Sequence, residues 1–172
     1  MRAIGLRASP TVVTYAVVDG ADDKYEVTSL DVVEVPRALL APNQLHFMRT
    51  VLLDVMEEFE VTRAGLRIAE NTARSRSVFR DNLEGVIQEL LASSSVEWYF
   101  AGQIARIASM LGYTDRTVIR RMVDGDETPP SSTGWSNYSK EQREAFLVAC
   151  AAIKGSGLTV ASSPLAGVGG KS

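Results

Sequence analysis

The chain has 172 residues, of which 45% are hydrophobic and 23% are charged, a composition typical of a folded globular protein and not of a disordered, collagen-like or coiled-coil chain. A chain of this length forms one ordinary domain or two small ones and can bury roughly 70% of its unfolded surface. The 18 basic and 21 acidic residues give a net charge of −3, which excludes a global electrostatic attraction to nucleic acid but allows a local basic patch.

The first third of the chain is predicted to form strands. Residues 3–6 and 11–18 are rich in β-branched and aromatic side chains and are separated by a short turn, which predicts a hairpin. A second short turn leads to a third strand over 25–35. Strands joined by turns this short run antiparallel.

After this region the spacing of the apolar residues changes from two to three or four, which is typical of amphipathic helices. Asn43 is predicted to cap the first of them, and Ser139 and Gln142 are spaced as a capping box at the start of the last. The predicted elements are a helix over 43–59, a strand over 66–69, a helix over 77–93, a strand over 96–100 and helices over 103–111, 115–123 and 139–153.

This order predicts an α/β fold. The three-stranded antiparallel meander is extended by two parallel strands through helical crossovers, which gives a mixed five-stranded sheet with helices on both faces. We predict one domain over residues 1–153, followed by a Gly- and Ser-rich tail over residues 154–172. The small apolar residues of the tail indicate a protein partner or a homo-oligomer such as a dimer, in which the tail docks as an extended segment.

The single cysteine and the single histidine limit the chemistry of the chain. With Cys150 and His46 alone, a disulfide framework and a cysteine zinc site are excluded, so any metal would have to be held by carboxylates. We interpret Cys150 as a buried small hydrophobe and His46 as a surface residue. No apolar run reaches the roughly 20 residues of a membrane-spanning helix, and no secretion signal is recognisable at the start. We therefore expect a cytoplasmic protein with no membrane partner.

A loop rich in Pro, Gly and Ser covers residues 125–138, and loops of this length often carry function. Trp135 and Tyr138 lie in it. As exposed aromatic side chains they would be candidates for anchoring a base or a partner.

The order of elements and four local sequences resemble the RNase H-like superfamily and, within it, the RuvC-type Holliday junction resolvases. Residues 3–7 (AIGLR) resemble that family's first strand, which normally reads Gly-Ile-Asp. Residues 67–70 (RIAE) are similar to its fourth-strand motif, which ends in a catalytic glutamate. Residues 96–123 are similar to the elements before its last catalytic helix. Residues 140–149 (KEQREAFLVA) are similar to that helix, which usually carries two aspartates three residues apart. The chain also resembles a family of small uncharacterised bacterial proteins of this fold.

The resemblance implies a cluster of carboxylates that holds divalent cations for nucleic-acid hydrolysis. In this chain Arg7 stands where the first-strand aspartate would be, Glu70 stands at the catalytic glutamate, and Glu141 and Glu144 replace the two aspartates. Because an arginine is permanently charged and cannot bind a metal, Arg7 is expected to form an ion pair beside Glu70 in a degenerate site without a cofactor. The alternative is a Mg²⁺- or Mn²⁺-dependent endonuclease in which the three glutamates hold one ion and activate water.

Three arginines follow Glu70 closely and are candidates for phosphate contacts: Arg74, Arg76 and Arg80. In that role they would position a duplex without reading its sequence. The alternative interpretation is a solvated arginine cluster that Asp81 and Glu84 balance.

Residues 104–123 also resemble a helix-turn-helix, in which Arg116 and Arg120 would face a DNA groove. Arg121 argues against this, because it occupies a position that such motifs keep apolar. The same residues are compatible with a linking helical pair whose basic outer face, with Arg116, Arg120 and Arg121, is a further candidate for phosphate contacts. The sequence thus predicts a catalytically degenerate RNase H-like protein that binds DNA or RNA or forms part of a complex. A nuclease, a helix-turn-helix protein and a purely structural partner are the alternatives.

Overall fold

The structure is a computed structural model that describes residues 1–21, 23–70, 77–130 and 132–155. The strands are β1 (Arg2–Ala8), β2 (Val12–Ala21), β3 (Lys24–Glu34), β4 (Arg63–Arg67) and β5 (Trp98–Gly102). The α-helices are α1 (Ala41–Glu58), α2 (Val78–Ser93), α3 (Ile104–Met110), α4 (Arg116–Asp124) and α5 (Lys140–Lys154), and a single 3-10 turn covers Trp135–Asn137. None of the described helices combines the length and hydropathy of a bilayer-spanning segment.

The predicted mixed sheet is confirmed. Its five strands lie in the order β3-β2-β1-β4-β5. The pairs β1/β2 and β2/β3 are antiparallel, and β1/β4 and β4/β5 are parallel. One face of the sheet packs against α3, α4 and α5, and the other face packs against α1 and α2, so two separate apolar cores lie on either side.

The central strands β1 and β4 carry the same tripeptide, Gly-Leu-Arg, in the same register. Residues 5–7 pair one to one with residues 65–67. Because side chains alternate between the faces of a sheet, the two leucines enter the core beneath α1 and α2. The two glycines and the two arginines therefore lie on the face that α5 covers.

The glycines of this tripeptide allow α5 to lie directly on the strands. A Cβ atom added at Gly5 would be 2.0 Å from the carbonyl oxygen of Ala145 and 2.5 Å from the amide nitrogen of Ala149. One added at Gly65 would be 2.6 Å from Val148 Cγ1. The close approach of α5 brings its first two turns against the carboxyl ends of β1 and β4.

Some predicted boundaries shift, and each shift has a local cause. The helix predicted to start with Asn43 as its cap begins at Ala41, since Pro42 suits the first turn of a helix and Leu40 is the N-cap. The strand predicted over 66–69 covers Arg63–Arg67, because pairing with β1 determines its extent. The strand predicted over 96–100 lies two residues later, at Trp98–Gly102. The capping box at the start of α5 is confirmed.

The predicted exposure of the loop aromatics is wrong for Trp135. This side chain is buried, its indole Nε1 donates a hydrogen bond to the Met122 carbonyl (3.2 Å), and its ring packs edge-on against Phe146. A carbonyl partner for the indole N–H allows the whole ring to enter the core. Tyr138 is half-buried against Trp135. The burial of Cys150 is confirmed, and His46 is exposed on α1 as predicted.

Arg63 on β4 holds the carboxyl end of α5. Its Nη1 donates to the carbonyl oxygens of Ala152, Ile153 and Gly155 at 3.0, 2.8 and 2.7 Å, and its guanidinium lies 4.9 Å from the centre of the Trp98 ring. The last carbonyls of a helix lack partners within the helix and favour a nearby cation. Arg63 therefore fastens the helix to the sheet.

Replacing Arg63 with alanine is expected to lower the free energy of unfolding by about 1 to 3 kcal/mol, because three carbonyl acceptors lose their donor. Urea denaturation measured by circular dichroism tests this. The control is Arg37→Ala, since Arg37 is exposed in the segment before α1. Equal stability of the two variants would contradict the role of Arg63.

Candidate site at the carboxyl ends of the central strands

The candidate site lies at the edge of the sheet where the parallel strands β1, β4 and β5 end. Arg7 is the penultimate residue of β1, Arg67 is the last residue of β4, and Glu70 follows three residues later. The amino-terminal part of α5 passes over this edge and supplies Glu144. Three segments that are distant in the chain thus bring charged side chains to one place.

Arg7 forms an ion pair with Glu144. Its Nε donates to Glu144 Oε2 at 2.8 Å, and the two side chains are only 20% and 10% exposed. The sequence predicted a pair with Glu70 instead, and that partner is wrong. Arg7 lies on the face of β1 that α5 covers, so its carboxylate partner comes from α5.

Arg67 is the buried cation at the centre of the site. Its Nη2 donates to Glu70 Oε1 at 3.0 Å, its Nη1 donates to the carbonyl of Ile68, and its Nε lies 3.7 Å from Glu144 Oε1. Burial lowers the pKa of Arg67, and the negative charges of Glu144 and Glu70 oppose this effect. Because an arginine stays protonated in proteins, Arg67 is a fixed positive charge between two carboxylates.

Glu70 also connects the site to α3. The same Oε1 atom that binds Arg67 accepts a hydrogen bond from the backbone N–H of Ile104, at 3.2 Å. Beside it, the Gln103 side chain donates to the carbonyl of Ala69 at 3.0 Å. The carboxylate of Glu70 is therefore held between a guanidinium and the first turn of a helix.

A second arginine–glutamate pair supports the end of β4 from α2. Glu84 is buried, and its carboxylate accepts the backbone N–H of Ala69 at 3.2 and 3.3 Å and the Nε of Arg80 at 2.8 Å. The Arg80 side chain is 20% exposed. The structure thus places Arg80, a predicted phosphate-binding residue, in an internal ion pair.

The remaining predicted residues lie apart from this cluster. Arg116, Arg120 and Arg121 are exposed on α4, and Arg121 Nε binds Glu127 Oε2 at 3.0 Å. Glu141 is half-buried in the first turn of α5. Arg74 and Arg76, like the tail beyond Gly155, are outside the described residues, so their roles stay predictions.

The donor set does not fit a divalent cation. Mg²⁺ and Mn²⁺ require several open oxygen ligands, whereas Glu70, Glu84 and Glu144 are each bound to an arginine. Within the described ranges no group of three or more His, Cys, Asp or Glu side chains is placed to hold a metal ion. The Arg67 guanidinium lies between Glu70 and Glu144, at 3.0 Å from one carboxylate and 3.7 Å from the other.

Two residues of the site were missed by the sequence analysis: Arg67 and Gln103. A signal for Arg67 was present, because it is a charged residue at the end of an apolar strand and it repeats the Gly-Leu-Arg of β1. Gln103 has no comparable signal, and Glu84 was predicted only as a charge that balances the arginines after Glu70. The role of each depends on the fold, which places both side chains within hydrogen-bond distance of the Ala69 backbone.

No family model matches the chain, and no curated protein matches it by sequence. Solved structures are similar to it. Thermus thermophilus RuvC shares 15% identity at a TM-score of 0.66, over 90% of this chain and 94% of that chain. RuvC from T. thermophilus in complex with its Holliday junction substrate shares 14% identity at a TM-score of 0.62, over 90% of this chain and 94% of that chain. The yeast mitochondrial Holliday junction resolvase Ydc2 shares 12% identity at a TM-score of 0.59, over 89% of this chain and 78% of that chain. The chain therefore has the predicted RNase H-like fold of the RuvC type.

Proposed function

We propose that this chain is a catalytically inactive protein of the RuvC fold that binds branched DNA without cutting it. The observation that carries the proposal is the ion pair of Arg7 with Glu144, at 2.8 Å and largely buried. In the family that residues 3–7 and 140–149 resemble, both of these positions carry metal-binding carboxylates. Here one is a cation and the other is neutralised by it.

The charges around the site support the loss of catalysis. Arg7, Glu144, Arg67 and Glu70 alternate in one series of contacts. Arg80 and Glu84 form a separate pair that holds the backbone of Ala69 nearby. A divalent cation shared by Glu70 and Glu144 would have to displace the buried Arg67 guanidinium, which would leave that charge without partners in a region of low dielectric. Such uncompensated buried charges are strongly destabilising.

Two observations support the binding half of the proposal. A protein with the same fold, T. thermophilus RuvC, is seen in complex with a Holliday junction. In this chain the outer side of α4 exposes Arg116 and Arg120, one helical turn apart. Side chains so spaced suit contacts with successive phosphates, which position a duplex and do not read its sequence.

Fluorescence anisotropy with a labelled four-way DNA junction tests the binding. We expect binding that weakens as salt rises, because phosphate contacts release counterions. The double variant Arg116→Ala/Arg120→Ala is expected to bind about tenfold more weakly or worse and to reduce the salt slope by about 2. The matched control is Arg49→Ala, because Arg49 lies on α1 at the opposite face of the sheet.

Incubation of the same junction with the protein and Mg²⁺ or Mn²⁺ tests the absence of catalysis. We expect uncut DNA on denaturing gels. Cleavage that disappears in Glu70→Gln would overturn the inactive site and favour the nuclease alternative. No affinity for the junction at low ionic strength would remove the binding half and leave a structural role in a complex.

A further inference from the structure

A small cavity of about 180 Å³ lies between β3, α4, α5 and the loop that follows α4. It is separate from the charged site, since none of its lining residues belongs to the arginine–glutamate pairs described above. Most of its wall is apolar and comes from Leu111, Met122, Pro129, Phe146, Leu147 and Cys150.

The size of the cavity indicates a ligand. Protein interiors are close-packed and contain few voids larger than a water molecule. An enclosed apolar cavity of about 150 Å³ binds benzene, so this pocket, which is partly open to solvent, has room for one substituted aromatic ring. We propose that the cavity is a binding site for a small neutral aromatic molecule that carries one hydrogen-bonding group.

The polar groups at the rim favour a neutral ligand. Lys154 Nζ binds Asp23 Oδ1 at 2.7 Å, so the two charges compensate each other. Burial raises the pKa of Tyr25, and the charge and hydrogen bond of Asp23 add to this effect, so the phenol keeps its proton. Because the lysine–aspartate pair has no net charge to attract an ion, it does not favour an ionic ligand, whereas a neutral hydroxyl or N–H can donate to the Asp23 carboxylate.

Cys150 forms part of the wall and does not act as a nucleophile. Burial raises the pKa of its thiol well above the ordinary value, so the thiolate is not formed at neutral pH. Binding is therefore non-covalent. A small apolar side chain at this position leaves the volume open, and a larger one fills it.

Titration of phenol into protein labelled with ¹³C at the methionine methyl groups tests the proposal. We expect the Met122 signal to shift with a dissociation constant on the order of 1 mM, a strength typical of so small a ligand. Met48 and Met56 are internal controls, because they lie in the core on the opposite face of the sheet. Benzoate is expected to bind at least about tenfold more weakly because of its charge.

Two substitutions separate a real site from nonspecific contact. Cys150→Leu fills the cavity and is expected to abolish the phenol shift, whereas Cys150→Ala enlarges the cavity and keeps it. If Cys150→Leu does not fold, Leu111→Phe fills the space from another wall. The proposal is overturned if phenol leaves the Met122 signal unmoved, if Met48 and Met56 shift equally, or if a folded cavity-filling variant still binds.

Discussion

Replacing Glu144 with alanine is expected to lower the free energy of unfolding by about 3 kcal/mol or more, because removal of one partner leaves buried charge uncompensated. Arg7 would lose its carboxylate, and Arg67 would keep only Glu70. Urea denaturation followed by tryptophan fluorescence measures the change. Glu144→Gln keeps the shape and one oxygen acceptor, so we expect a smaller loss than in Glu144→Ala.

The matched control for this experiment is Glu141→Ala. Glu141 lies one turn earlier on the same helix and is half-buried. Its negative charge interacts favourably with the positive end of the helix dipole, which contributes less than about 1 kcal/mol to stability. If the two alanine variants are equally stable, the ion pairs of Glu144 do not support the fold.

A second large effect is expected from Gly5→Ala, which should lower the free energy of unfolding by about 3 kcal/mol or more because overpacking here cannot be relieved by a side-chain rotation. The added methyl group would lie within 2.0 and 2.5 Å of backbone atoms of α5. The helix would have to move away from β1, and Glu144 would move with it. Thermal unfolding by calorimetry measures the loss.

Gly85→Ala makes the same chemical change at a position where nothing resists it. Gly85 is exposed within α2, and no atom lies within 4 Å of its added Cβ. We expect this variant to be more stable than the parent by about 0.5 to 1 kcal/mol, because alanine favours a helix over glycine. Destabilisation of both variants to the same extent would show that the packing of α5 on Gly5 is not the cause.

The fold was predictable because the relevant signals are local. Alternating β-branched residues, the three- and four-residue spacing of the helices and the Ser139 capping box each act over a few residues. The bounds of β4 were not, because Arg63 and Gly65 are untypical strand residues that become a strand only through pairing with β1. The burial of Trp135 depends on the distant Met122 carbonyl, which no local pattern reveals.

The candidate site was predictable in its chemistry but not in its contacts. The replacement of an acidic position by Arg7 followed from the resemblance of residues 3–7 to a known strand. Its partner depends on which element covers that face of the sheet, and the structure gives Glu144 where Glu70 was expected. Glu70 pairs with Arg67 instead. The register of β1 and β4 places this second arginine directly beside Arg7.

The paired arginines on β1 and β4 have a consequence for biosynthesis. Arg7 and Arg67 are synthesised long before α5, the helix that carries their partner Glu144. Arg7 and Glu144 are 137 positions apart. Until translation has released α5, the two adjacent guanidinium groups repel each other and the glycine surface beneath them is uncovered. The sheet therefore cannot complete its packing until α5 has emerged from the ribosome.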